Sequence, residues 1–548
     1  MERIKKYASK GIAYLRRNGI RESVKRTMRK AALSMPFDYE TWLERQRPSR
    51  KELVRQQQET LRQGIRIGIY IPETGENQSL RNRTKESLKK QSDQNYCFLK
   101  DFPGEEEYLL FLRTGVRLEP DALFELASAA EKNPETEIFY ADQDQQRKTG
   151  KGYHMPECKP CFDLYYLQSR NYIGDAFLVS RRLALRTGMP DTGKKGAVFY
   201  DYLLRCAEQT ENVMRIPKIL FHMPSGCPDP MEKEALAAHY RRMCIPAEVW
   251  DTAKKGTYQT HYQYQESPLL SVIIPNCDQA AQLRTCVESI LEMGGYDDLE
   301  ILIVENNSRE RETFLCYEDL CRKDPRVRIY TWKGKFNYSA INNDAVKEAK
   351  GEYLLFLNND TRIRTKESVD VLMNLVQRPD VGAVGARLSY EDDTIQHAGV
   401  ILGYGGIAGH ALEGASGEIY ERQPFALAVR QLSAVTAACM AVKKKAFLEA
   451  GGFSMELAVA YNDIDLCLNM REKGWKVLYC PQADVYHFES RTRGLEMTKE
   501  KAERVKREEA FFKNRWKERI DEGDPFYHPN LTLEKPDYSL KRSSGRRT

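Results

Sequence analysis

GEYLLFLNNDTRIRTKESVDVL, residues 351–372, holds the reading from which the fold follows. Its apolar run, Tyr353 to Leu357, is a strand that stops in Asn358, Asn359 and Asp360. LLSVIIP (269–275) and LEILIVENNS (299–308) have the same character, and an amphipathic helix from Leu283 to Met293 separates them. Strands alternating with helices predict a parallel α/β layer. Apolar strands ending in Asn, Asp and Glu put polar groups on the carboxyl edge of that sheet, where open α/β sheets bind ligands.

The same design occurs earlier in the chain. IRIGIYIP from Ile65, EYLLFL and EIFYAD read as strands, with a helix-like stretch around Leu123 to Ala130. EEYLLFLRTGVRLEPDALFEL (106–126) parallels the opening stretch. GAVFYDYLLRCAE (196–208) parallels AVAYNDIDLCLNMRE (458–472), and RIPKILFHM (215–223) parallels LYCPQADVYHFES (478–490). Three matches in one order argue for an internal duplication. The copies differ where chemistry is expected. Arg113-Thr114-Gly115 stands where the second copy has Asn358-Asn359-Asp360, and no equivalent of LEILIVENNS is apparent. The first copy keeps Asp201 and His222 and is read as a scaffold. The polar segment near Pro228 to Glu266 reads as a linker with some helix.

With 548 residues, three or four structural units are expected. No apolar run approaches the roughly 18 residues of a membrane span, and the charged N-terminus lacks the apolar core of a signal peptide. Thirteen irregularly spaced cysteines point to reduced thiols in the cytoplasm, the Cys158/Cys161 pair included. The net charge of +6 is concentrated at one end: residues 1–31 hold eleven Lys/Arg and two Glu, +9, which leaves about −3 for the rest. Ile4, Ala8, Ile12 and Leu15, then Ile20, Val24 and Met28, recur at helical spacing. Such a basic amphipathic arm either adheres to an anionic membrane, on its inner face, or packs as a solvated helix on its own protein. No aromatic interleaving or motif supports nucleic-acid binding.

Asp360, a carboxylate at a strand end, suits a divalent cation, and His487 would complete the site; mixed oxygen and nitrogen ligation suits Mn²⁺ or Mg²⁺. Alone, each residue has an ordinary structural reading, as a turn former or a satisfied histidine. Asp463 and Asp465 lie at the start of a helical pattern running through Leu466, Met470 and Trp475. Asp463 reads either as an N-cap or as a general base.

The C-terminal half resembles family 2 inverting glycosyltransferases of the GT-A fold. The resemblance runs through SVIIPNCD, ILIVENNS, FNYSAINNDAVKEAKGEYLLFLNNDT, GAVGARLSYEDDTIQHAGVILG, SAVTAACMAVKK, GGF, YNDIDLCL and YHFESRTRG, over about Pro268 to Asp524. The N-terminal half, with YIPETGE, RNYIGDAFLVSRR and IPKILFHM, is similar to the degenerate domain preceding it in bacterial polysaccharide-assembly members. The resemblance implies two tandem GT-A (Rossmann-like) α/β domains with mostly parallel sheets, plus helical extensions at both ends. The expected divisions are a basic helical arm (1–64), a degenerate domain (65–228), a linker (229–267), a catalytic domain (268–500) and a C-terminal helix and tail (501–548).

By position, the resemblance places Pro275, Asn276, Asp278 and Glu305 beside the nucleoside, and Asn337, Ser339 and Asn342 in the donor pocket. Asn358, Asn359 and Asp360 occupy the metal-binding Asp-x-Asp position and His487 that of a late metal ligand; Asp463 is the catalytic base, and Ser490 and Arg493 close over the diphosphate. Asn358 replaces the first acid of the pattern, and Asn462 the acid often found before the base. The implied reaction is metal-dependent inverting transfer of a hexosyl group from a nucleoside-diphosphate sugar to a hydroxyl of a bacterial cell-surface polysaccharide or lipid-linked glycan. A non-catalytic carbohydrate-binding or assembly protein is the alternative from another class. A nucleotidyltransferase is disfavoured because SVIIPNCDQAAQ lacks a Gly-rich basic phosphate loop.

Overall fold

The computed structural model describes residues 37–60, 64–72, 78–224, 229–419, 423–488 and 498–542. The basic arm expected at 1–31, and Ser490 and Arg493, lie outside these residues. The first sheet holds β1 (Ile67–Tyr70), β2 (Tyr96–Phe98), β3 (Tyr108–Leu112), β4 (Arg117–Leu118), β5 (Ile138–Gln146), β6 (Tyr153–Glu157), β7 (Ala176–Ser180) and β8 (Val213–Met223). Its order is β2-β1-β3-β7-β5-β8-β4, with β6 paired to β5. After a hairpin of β9 (Ala247–Asp251) and β10 (Tyr258–Tyr262) comes the second sheet. It contains β11 (Leu270–Asn276), β12 (Leu299–Glu305), β13 (Val327–Thr331), β14 (Tyr353–Leu357), β15 (Thr361–Ile363), β16 (Val381–Ser389) and β17 (Ile395–His397). A small hairpin of β18 (Val400–Leu402) and β19 (Ala408–His410) stands apart, before β20 (Arg430–Gln431), β21 (Cys439–Lys443) and β22 (Lys476–His487). The order is β13-β12-β11-β14-β21-β16-β22-β15, with β17 on β16 and β20 on β22.

The two orders superpose strand for strand, β13 and β20 being extra in the second. In each, parallel strands form one half, and an antiparallel strand, β7 or β21, joins it to the other. The duplication is therefore architectural. The equivalent of LEILIVENNS exists after all: it is β2, paired parallel to β1. At three residues, with Phe98 exposed, it carries too little apolar signal to be seen in the sequence.

The central strands read as apolar runs because both their faces are covered. Val272 to Ile274, Ile301 to Val304 and Leu354 to Leu357 are all fully buried. Each such side chain contributes about 1.5–3 kcal/mol by leaving water. One apolar core runs through both sheets, from Leu109 and Phe177 to Ile274 and Val485, and includes Leu236, Tyr240, Tyr258 and Tyr262. The segment 229–267 is thus more than a linker. It forms the helix Met231–Arg242 and the β9–β10 hairpin, and Asn374 exchanges two hydrogen bonds with the backbone of Tyr262.

The C-terminal stretch ties the halves further. Buried Asp524 accepts from the Leu402 N–H (2.9 Å) and the Ser433 hydroxyl (2.8 Å) in the second half. Four residues on, His528 Nε2 lies 2.7 Å from Asp142 Oδ2 in the first. Cys158 completes a cluster with these two. The Asn530 N–H donates to His528 Nδ1 (3.0 Å), so the neutral ring carries its proton on Nε2. Cys158 and Cys161 are free thiols.

Candidate functional site

The parallel strands of the second sheet deliver their polar ends to one edge. The ladder from β11 to β14 stops at Ile273, two residues before Pro275, where a strand can spare an N–H. Asn276 next to it donates to the Tyr317 hydroxyl (2.8 Å) and accepts from Asn359 Nδ2 (2.6 Å), which joins the ends of β11 and β14. Glu305 closes β12. Its carboxylate accepts from the Ser308 N–H and hydroxyl (both 2.6 Å) and from the Tyr317 hydroxyl (2.5 Å). Burial and that bond raise the Tyr317 hydroxyl above its ordinary pKa. Asp278, in the left-handed region at φ 55°, accepts from the Arg309 and Glu310 N–H groups (2.8 and 2.9 Å). Its carboxylate thereby serves the start of the helix Arg311–Lys323.

Asp360 and His487 are 127 residues apart in sequence and meet across the β15–β22 ladder, where Thr361 pairs with His487. His487 Nε2 lies 3.2 Å from Asp360 Oδ1. Gln396 Oε1 is 2.6 Å from His487 Nδ1 and, as an acceptor only, requires the proton there. Nε2 then holds a lone pair, which accepts from Asn358 Nδ2 at 3.1 Å.

Asp463 lies in the first turn of the helix Asn462–Glu472. Tyr461 before it has φ 64°, a strained conformation for a bulky side chain, held by stacking on Phe512 at 5.2 Å. The Asp463 carboxylate accepts from the Ala437 N–H (3.2 Å) and from the Ile464 N–H (2.9 Å), two of about four acceptor positions. Asp463, Asn358 and His487 line one cavity of about 250 Å³, together with Gln396, His410 and Thr436. Asp465, the other acid of the motif, is fully buried. It accepts from Trp516 Nε1 (2.8 Å) and Asn469 (3.1 Å), and burial raises its pKa.

The FNYSAINN motif is used differently from the expectation. Asn337 caps the helix Tyr338–Glu348 by accepting from the Ala340 N–H and donates to Met455 O (3.0 Å each). Ser339, fully buried, donates to Leu457 O (2.6 Å), and Asn343 exchanges two bonds with the Phe453 backbone. Asn342 is fully buried and donates back to Tyr338 O (2.8 Å). Asn337, Ser339 and Asn343 secure the 453–458 loop that leads to Asp463, and Ser339 and Asn342 have no surface to offer a donor. An Asn before a helix signals a cap, but the sequence cannot say which loop its helix grips.

Four residues of this region went unseen in the sequence: Tyr317, Gln396, His397 and His410. His397, fully buried, lies with its Nδ1 2.6 Å from His410 Nδ1 and accepts the Thr436 N–H at Nε2 (3.3 Å). Burial, then the adjoining His410 and His487, keep it well below its ordinary pKa. Only the adjacency of Gln396 to His397, with His410 just after a glycine-rich turn, was available as a signal.

The first half fills the corresponding place with charge pairs. His222 pairs with β4 as His487 does with β15. Its two ring nitrogens face carboxylates, Asp144 at 2.6 Å and Glu119 at 2.8 Å. Burial opposes a charged ring, but those two bonds and their charges raise its pKa. Glu119, which also receives a fork from Arg47, is held at about 2 despite burial. Asp201, which the first copy keeps, is buried beside Arg242 (3.4 Å).

Residues 271–447 match the family described as glycosyl transferase family 2. An uncharacterized protein of Sinorhizobium fredii is 36% identical over 450 residues, 79% of this chain and 49% of that one. The O-antigen biosynthesis protein RfbC of Myxococcus xanthus is 33% identical over 452 residues, 80% of this chain and 34% of that one. An N-acetylglucosaminyl-diphospho-decaprenol L-rhamnosyltransferase of Mycobacterium tuberculosis is 24% identical over 36% of this chain and 68% of its own length. The chain spans about half the length of the first relative and a third of the second. With its parallel strands, their polar carboxyl edge and this match, the domain over residues 271–447 belongs to glycosyl transferase family 2.

Proposed function

We propose that the chain transfers a sugar, with inversion, from a nucleoside-diphosphate sugar to a hydroxyl of a bacterial surface polysaccharide or lipid-linked glycan. The observation that carries this reading is the convergence of Asp463, Asn358 and His487 on one cavity beside Asp360. Asp463 takes the proton of the acceptor hydroxyl. The hydroxyl oxygen attacks the anomeric carbon, and the bond from that carbon to the diphosphate oxygen breaks with its electron pair going to the diphosphate. One displacement inverts the centre, by the logic of inverting glycosidases in which a carboxylate activates the nucleophile. Asn276 and Glu305, oriented by Tyr317, face the nucleoside.

Asp360 and His487 fit a divalent ion. With metal–ligand bonds of about 2.1 Å, adjacent octahedral ligands are about 3.0 Å apart, and the two atoms are separated by 3.2 Å. Mn²⁺ or Mg²⁺ bound there would offset the negative charge gathering on the diphosphate. Asn358 Nδ2 occupies the His487 lone pair, so its amide turns to make way for such an ion. The first half, its counterpart residues consumed by ion pairs, acts as scaffold. The polysaccharide class is supported by the likeness to an O-antigen biosynthesis protein and to a rhamnosyltransferase of a lipid diphosphate.

The test is a panel of UDP-, GDP- and dTDP-sugars with Mn²⁺, scored for release of nucleoside diphosphate. Turnover of at least one member is expected. No release from any member, with bacterial lipid-linked glycan acceptors present, would favour a carbohydrate-binding protein instead.

A further inference from the structure

We propose that His410 is a hydrogen-bond donor to a sugar hydroxyl in the cavity, its tautomer set by His397; this rests on the glycosyl-transfer reading of the same site. The Thr436 N–H can only donate, and it meets His397 Nε2 at 3.3 Å, so that nitrogen carries a lone pair. Neutral His397 therefore has its proton on Nδ1. That N–H faces His410 Nδ1 at 2.6 Å, which must then accept it. The remaining proton of His410 is on Nε2, the nitrogen on the side of the ring away from His397. A fully buried histidine thus supports a half-buried one that lines the same cavity as Asp463.

The cavity defines what that N–H meets. Asn276 and Glu305, at the nucleoside edge, do not line it, whereas Asp463 and His487 do. Its volume, about 250 Å³, is below the roughly 300–1,000 Å³ of pockets for drug-sized ligands. It therefore suits one sugar ring and its reacting hydroxyl, not an entire nucleotide sugar. Asp463 supplies an acceptor there and His410 a donor. A hydroxyl group, which both donates and accepts, can pair with either. That hydroxyl belongs either to the transferred sugar or to the acceptor glycan.

Two measurements test this. In ¹⁵N-histidine-labelled full-length chain, with resonances assigned by their loss in His410→Gln and His397→Phe, two-bond ¹H–¹⁵N spectra should give His410 protonated at Nε2 and bare at Nδ1. In His397→Phe, His410 should become a tautomer mixture. Finding Nδ1–H in the wild-type chain overturns the proposal whether or not any sugar is transferred. In the assay with the active panel member, His410→Ala should lose about tenfold in kcat/KM, the worth of one good hydrogen bond, and His410→Gln, which keeps an N–H, should recover part of it. Equal loss in acceptor-free donor hydrolysis assigns the hydroxyl to the transferred sugar. Loss confined to the acceptor KM assigns it to the glycan. Unchanged kinetics in both reactions also overturns the proposal, while inactivity of the wild-type chain would instead refute glycosyl transfer.

Discussion

Replacing Gln396 by Leu removes the group that orients His487 while leaving both metal-ligand candidates in place. Gln396 is buried, its Oε1 is 2.6 Å from His487 Nδ1, and its Nε2 donates to the His487 carbonyl at 3.3 Å. Leu has nearly the same volume and neither bond. The His487 ring can then protonate at Nε2 and rotate away from Asp360 Oδ1. Loss of such a supporting partner costs about 10–100-fold in metal affinity, or about 1.4–2.7 kcal/mol at 1.36 kcal/mol per decade. The assay is release of nucleoside diphosphate against Mn²⁺ concentration. The half-saturating Mn²⁺ should rise by that factor, and kcat at saturating Mn²⁺ should return to near the wild-type value. An unchanged Mn²⁺ curve would refute the role assigned to His487. A loss that saturating Mn²⁺ does not restore would mean that Gln396 acts on substrate directly.

Asp465→Ala leaves the buried Trp516 N–H without its 2.8 Å acceptor, which costs about 1–3 kcal/mol; a lower melting temperature with unchanged Mn²⁺ dependence is expected. His222 has a folded-state pKa above its ordinary 6.5. Its stabilisation is therefore complete below about pH 6.5 and is lost as pH rises through the folded value. Thermal melts should show that decline, and His222→Gln should flatten it. Deleting residues 1–31 removes +9 of charge, so co-sedimentation with vesicles rich in anionic lipid should fall, and unchanged binding would exclude the arm as a membrane contact.

The parts of this account that were legible in the sequence are those with strong local signals. Buried strands such as β11, β12 and β14 are continuous apolar runs, and their polar ends announce a sheet edge. The pairing of Asp360 with His487 was reached through motif position, and the β15–β22 register supplies its geometry. What stayed hidden depends on three-dimensional neighbours. β2 is too short to register as a period. Asp278 and Asn337 bond to backbone N–H groups, and a polar residue looks the same in sequence whether it faces a ligand or a helix end. The chain from Thr436 through His397 to His410 joins two strands, β17 and β19, and the loop before β21. The stretch from Asp524 was expected only as a C-terminal tail, and it bridges the two sheets because Asp524 and His528 find partners in opposite halves.

The central claim is tested most directly by Asp463→Asn, assayed with the active nucleotide sugar and its acceptor. The amide can keep the bond from the Ala437 N–H or from the Ile464 N–H but cannot take a proton. Transfer should fall by about 10²–10⁴-fold, the share of a positioned general base, with binding of the nucleoside diphosphate unchanged by calorimetry. Undiminished transfer by the folded variant would contradict the account.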